Sequence, residues 1–291
     1  MSTSHSWTSW PTLEAVTSNL SDSVRDYIRA AGGGLIVGLP LLYTMEVWFG
    51  GFILPWWKLL LMLGVAFAVV LGYSSVAGFR RERTLGELVL DSISTMGLGI
   101  VIAFVALLLL GRIDADTSLR DAAGKVALEA IPVAFGASVA ATQLSGESTG
   151  SATVSPLARM MVGAGGALLF ALNVAPTEEP VMLGIHAPPL LLLAVVGATL
   201  AVTFALVFLA DFGGRRRARV EGLLEHPWSE TITSYAISLA VAVLLLWSFG
   251  RTDGVSTQAI VGMTVMLAFV GSVGAAVARL LVGGEHEAGG R

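Results

Sequence analysis

Five side chains in or beside otherwise apolar stretches carry most of the chemistry this sequence offers: Glu46, Glu129, Asn173, Glu178 and Glu179. A carboxylate in hydrocarbon is costly, so each one near a membrane segment is a site candidate whose partner must be named. Carboxylates and amide oxygens can bind protons or hard cations such as sodium, magnesium or calcium. Glu46 sits in GGGLIVGLPLLYTMEVWFGG (32–51), where Gly34, Gly38 and Pro40 loosen the helix before it. Glu178 and Glu179 follow Asn173 in NVAPTEEP, bracketed by Pro176 and Pro180, so a helix should break there and free carbonyl oxygens. Glu129 is the deepest, about two turns inside its segment in KVALEAIPVAFG, with Pro132 three residues on. On the structural reading it pairs with Lys125, four residues earlier on the same helical face. On the functional reading it carries a proton, and Pro132 supplies a local opening.

Asp91, Glu230 and Tyr43 are secondary candidates. Asp91 and Glu230 open apolar segments, where an acidic residue complements the helix dipole and the following Ser or Thr caps backbone amides. An inner ion site is the alternative. None of these residues identifies a metal.

The elements that position them are membrane helices. The chain of 291 residues is 55% hydrophobic and 13% charged, with a mean hydropathy of +0.78. A spanning helix needs roughly 20 mostly apolar residues. Eight segments qualify: 30–49, 58–78, 91–111, 122–143, 157–176, 189–210, 229–249 and 257–282. The expected fold class is all-α, a polytopic membrane bundle of about eight transmembrane helices. MSTSHSWTSWPTLEAV lacks a basic n-region before an apolar run, so no cleaved signal peptide is expected. Leu13, Val16, Leu20, Val24 and Ile28 give the 1–29 segment an amphipathic helix leading into the first span.

The chain has no cysteine, which excludes disulfides and thiolate chemistry. His5, His186, His226 and His286 all fall outside the expected spans, which argues against paired-histidine haem ligation. No cofactor is expected, and a net charge of -4 implies no nucleic-acid partner. No span offers a nucleophile with a base, so the chain does not read as an enzyme. With the N-terminus inside, twelve Arg residues fall on inner segments and five Lys or Arg on outer ones. Both termini are therefore expected in the cytoplasm.

Anchors other than Leu, Ala and Val recur in order. Gly33, Gly34 and Glu46 match Gly165, Gly166 and Glu178 at one constant offset. AGFRRER (77–83) matches ADFGGRRRAR (210–219), and DSIST (91–95) matches ETITS (230–234). Gly111, Arg112 and Asp114 match Gly250, Arg251 and Asp253. AFGASVAA (134–141) matches AFVGSVGA (268–275), which aligns Glu129 with Met263. The organisation expected is an N-terminal segment 1–29, a four-span repeat 30–143, a linker 144–156, a second repeat 157–283 and a tail 284–291. An even number of spans makes the repeats parallel, related by a pseudo-twofold axis along the membrane normal. If the first and fifth spans line that axis, Glu46 and Glu178 face one another.

LPLLYTMEVW (39–48) resembles the signature of a family of uncharacterised bacterial integral membrane proteins, over most of the chain. The resemblance implies a polytopic bacterial membrane protein and carries no activity. The second repeat departs from it, with ALNVAPTEEP in the corresponding place. The function expected is that of a transporter or channel for a small cation in the inner membrane, working either by coupling to protons or by a channel-like path. The competing expectation is a non-transporting scaffold or assembly factor. The partners expected are the lipid bilayer and a small cation or proton, and a homo-oligomer is compatible with both readings.

Overall fold

The computed structural model describes residues 13–77, 84–143, 156–212 and 226–282. The basic segments 78–83 and 213–225, most of the expected linker and the tail lie outside them. The described residues form ten α-helices and no strand. They are α1 (Leu13–Leu42), α2 (Met45–Ile53), α3 (Trp56–Ala77), α4 (Leu85–Leu109), α5 (Leu119–Gln143), α6 (Pro156–Leu172), α7 (Glu179–Gly184), α8 (Pro189–Phe212), α9 (Pro227–Ser248) and α10 (Thr257–Val282). The chain is a polytopic helical membrane protein.

Six of these helices are long and apolar enough to cross a membrane: α3, α4, α5, α8, α9 and α10. The expectation of eight spans is corrected in two places. The first expected span is broken: Val24–Leu42 and Met45–Ile53 meet at 82°, and counted together they make a seventh crossing. The fifth expected span is short, because α6 stops at Leu172 and the chain turns through residues 173–178. Both breaks have local causes. Pro40 cannot donate to the carbonyl four residues back, and the Thr44 hydroxyl donates to the Pro40 carbonyl at 2.7 Å in place of a further helical amide. Pro176 closes the turn after α6, and Pro180 lies in the first turn of α7, where a missing amide costs nothing.

α1 runs unbroken from Leu13, so the expected lead-in helix and the first half of the broken span are one element. α5 is the centre of one group, with α1, α2, α3 and α4 packed around it, and α10 is the centre of another, with α6, α7, α8 and α9. The groups meet chiefly where α3 lies along α6. Small residues set these contacts, as expected where lipid removes the hydrophobic drive between helices. A methyl group on Gly34 would stand 2.8 Å from the Val133 carbonyl, and one on Gly51 2.5 Å from the Lys125 amide nitrogen. Gly166 meets Gly274 and Ala278, and Gly184 meets Gly262 and Met263, in the same close manner.

The turns after α4 and α9 are built alike. Gly111 and Gly250 take positive φ of 63° and 73°, a conformation that costs glycine little. That lets the Arg112 amide reach the Leu107 carbonyl and the Arg251 amide reach the Leu246 carbonyl, both at 2.8 Å.

Candidate functional site

Glu129 lies ten residues into α5 and is fully buried. Neither carboxylate oxygen has a hydrogen-bond partner. The expected pairing with Lys125 is not formed. The ammonium of Lys125 donates instead to the Arg112 carbonyl at 2.7 Å, extending along its apolar stem toward the polar α4–α5 turn. Pro132 removes the intrahelical donor for the Leu128 carbonyl, next to Glu129. Pro132 also lines an apolar cleft with Ala66, Val69, Phe135, Gly165 and Leu168.

The register of α5 against its neighbours fixes the depth of this carboxyl. Val133 packs on Gly38 of α1, and Lys125 packs on Gly51 of α2. Glu129 lies midway between these two contacts and so is level with the α1–α2 break. The N-cap of α2, Thr44, makes no side-chain capping bond, so the first turn of α2 keeps amide donors without a side-chain partner. A buried carboxyl, a weakened turn of its own helix and an interrupted neighbouring helix therefore come together. An uncompensated carboxylate in such a place is costly. Its charge would have to be offset by a proton or a cation.

The other candidate carboxylates are arranged differently. Glu46 is exposed in the first turn of α2, where its charge complements the helix N-terminus. Tyr43 is 71% exposed at the break. Glu178 accepts a hydrogen bond from Arg251 Nη1 at 2.6 Å, and the same guanidinium donates to the Pro176 carbonyl. The carboxylate and freed carbonyl expected to suit a hard cation thus hold a protein cation. Glu179 is exposed, and the Asn173 amide, just past the end of α6, donates to the Leu169 carbonyl of that helix at 2.8 Å. Arg112, in the turn that resembles the Arg251 turn, lies 4.9 Å from the Trp48 ring of α2.

At the opposite end, Asp91 does not open its helix as expected. α4 begins at Leu85 with a capping box, in which Glu87 N donates to Thr84 Oγ1 and Thr84 N donates to the Glu87 carboxylate at 3.0 Å. Asp91 is exposed further along α4. Glu230 does lie in the first turn of α9 but is buried. Its Oε1 accepts from Arg159 at 2.8 Å and from Arg279 at 3.4 Å, which joins α6, α9 and α10.

The sequence reading missed this arginine-flanked carboxylate, because its members are distant in the chain. It also missed a buried hydroxyl stripe on α9, Thr231, Ser234 and Ser238. Their three- and four-residue spacing marked one helix face. Each donates to the carbonyl four residues back, at 2.7 to 2.8 Å. Among the described residues, no three His, Cys, Asp or Glu side chains come together in a way that could hold a metal ion.

The model of one protein family, described as "Putative integral membrane protein (DUF2391)", matches residues 26–282. No curated protein and no solved structure matches the chain. The matched stretch begins in α1 and ends with α10, so it takes in the broken span, Glu129 and the buried Glu230 cluster. With nearly its whole length matched, the chain belongs to the DUF2391 family of integral membrane proteins.

Proposed function

We propose that this protein moves protons, or a small cation coupled to protons, across the cell membrane, and that Glu129 is the group that carries the proton. One observation carries the reading: Glu129 is buried in a membrane helix without a partner for either oxygen, level with a broken neighbouring helix. An ionisable residue inside a membrane bundle is a functional site by default, and interrupted helices are the usual setting for ion sites in transporters. A proton is favoured over a metal ion because Glu129 stands apart from other carboxylates, whereas a hard cation takes six or more oxygens.

The proposal includes two tandem repeats, α1–α5 and α6–α10. Each has a long helix, a break, a short helix and three long helices. The glycine contacts support one register. Gly33 meets Gly136 and Ala140 as Gly166 meets Gly274 and Ala278, and Gly51 meets Gly124 as Gly184 meets Gly262. The first and second halves are then offset by 133 in the leading helices (33 to 166, 51 to 184) and by 138 in the last (136 to 274, 124 to 262). Under this register Thr44, Glu46, Gly51 and Pro55 correspond to Thr177, Glu179, Gly184 and Pro188. Glu46 therefore pairs with Glu179 rather than Glu178, and Glu129 aligns with Leu267 rather than Met263. The proton site belongs to the first repeat alone. A cytoplasmic location for both termini rests on the basic-residue count and on counting α6 with α7, like α1 with α2, as one crossing, which gives each repeat four and makes the repeats parallel.

A scaffold remains the second reading. It is favoured by the outer carboxylates, which lie at the surface or, in Glu178, against Arg251. Purified protein in sealed liposomes, challenged with pH gradients and a panel of cations, separates the two. Proton or cation flux above that of empty liposomes supports transport, and none under any gradient supports the scaffold.

A further inference from the structure

The two repeats do not meet symmetrically. α3 of the first lies on α6 of the second, but the equivalent pair, α8 and α1, share no packed interface. The helix faces that this contact would use are both left open. On α6 the face toward α3 includes Met161, Gly165, Leu168, Leu169 and Leu172. Shifted by 133, these positions are Ile28, Gly32, Leu35, Ile36 and Leu39 of α1. The four large side chains among them are all exposed, Ile36 by 77% and Ile28 by 66%. A methyl group on Gly165 would run into Phe135 and Val69, whereas one on Gly32 would meet nothing within 4 Å.

α8 gives the complementary result. On α3, Val69 is buried and Val65 and Gly72 half-buried, along one helical stripe. Their equivalents Ala198, Val202 and Ala205 are all exposed. Only 17% of the spanning part of α8 is buried, against 44% for α3. The contact direction is also consistent: Gly72 meets Met161 and Val69 meets Gly165, an antiparallel order, and α8 would meet α1 in the same order.

A contact that joins different faces of two similar units leaves one of each face unused at the ends, and it closes only as a ring. We propose that a second copy of this chain covers these faces, with α8 of each copy packed on α1 of the next as α3 packs on α6 within the chain. Two chains then supply four repeats, and both open faces disappear. Ala205 carries a methyl group where Gly72 has none, so the intermolecular contact is wider at that end. The inference rests on the two-repeat reading and not on proton transport.

The chain has no cysteine, so engineered pairs are unambiguous. Gly72 and Met161 approach within the chain, and their equivalents are Ala205 and Ile28. Membranes carrying Ile28→Cys on one tagged copy and Ala205→Cys on a differently tagged copy are oxidised. The doubly tagged disulfide dimer is expected, and the double variant in one chain should stop at a closed oligomer without a ladder. Gly72→Cys with Met161→Cys should crosslink within one chain and leave its mass unchanged. An internal crosslink without the intermolecular one would overturn the proposal. So would a single-chain mass for the unsubstituted protein in lipid discs, since lipid alone would then cover both faces.

Discussion

Replacing Glu230 by Gln tests the buried charge cluster that joins α6, α9 and α10. The carboxylate is 2% exposed and lies 2.8 Å from Arg159 and 3.4 Å from Arg279, whose side chains are 15% and 5% exposed. Glutamine keeps the volume and one acceptor oxygen but removes the counter-charge that Arg159 and Arg279 share. Breaking a buried ion pair from one side costs roughly 3 to 5 kcal/mol. Arg159 retains some access to solvent, so the loss should fall near the lower end, about 3 kcal/mol. That corresponds to roughly a hundredfold change in the unfolding equilibrium. Glu178→Gln is the internal comparison: its carboxylate is 66% exposed beside Arg251, and such pairs are worth about 0 to 1 kcal/mol. Reversible unfolding in mixed micelles, followed by tryptophan fluorescence, measures both. Adding Arg159→Met to Glu230→Gln should restore part of the loss by removing one of the stranded charges. Equal effects of Glu230→Gln and Glu178→Gln, or no rescue, would refute the reasoning.

Gly51→Ala should destabilise the α2–α5 contact by about 1 to 3 kcal/mol, because the new methyl group would meet Gly124 and Lys125 backbone atoms at 2.5 to 2.6 Å. Gly64→Ala, where nothing lies within 4 Å, should be neutral or stabilising in the same unfolding assay. Cysteines placed at Arg81 and Arg217 should react with an impermeant reagent from the cytoplasmic face only, and labelling on opposite faces would remove the parallel-repeat reading. Thr117 donates to Asp114 Oδ1 at 2.6 Å, and this bond is the main cause holding the Asp114 carboxyl below its ordinary value of 3.8. A lowered carboxyl stabilises the fold above that ordinary value, and the contribution is lost as pH falls through the lowered one. Thr117→Val should therefore lower stability slightly above about pH 4 and converge with the parent as pH falls, which flattens the acid limb of the stability profile.

The helical membrane class was legible because apolar runs of spanning length are unambiguous in composition. The break at Thr44 was signalled by Gly34, Gly38 and Pro40, but its 82° angle was not, since the angle comes from how α2 packs on α5 through Gly51 and Gly124. Glu129 was readable as a buried group from its depth in an apolar run. The fate of Lys125 was not, because its partner is a backbone carbonyl thirteen residues away. Helix starts were misjudged at Asp91, where hydropathy outweighed the Thr84–Glu87 capping box. Ion pairs between distant elements, Arg251 with Glu178 and Arg159 with Glu230, leave no local pattern at all. On the two-repeat reading, Gly33, Gly34 and Glu46 set an offset of 132 in the leading helices whereas the glycine contacts there favour 133, because apolar helices align almost equally well when shifted by a residue.

The most direct test of Glu129 is proton flux by Glu129→Gln in sealed liposomes, with the parent protein in parallel. Glutamine keeps the shape of the buried carboxyl but cannot release a proton, and without an ion pair at this site nothing charged is stranded by the change. The account predicts that the variant folds with stability close to the parent and has lost pH-gradient-driven flux. Flux equal to the parent's in a folded Glu129→Gln protein would contradict it.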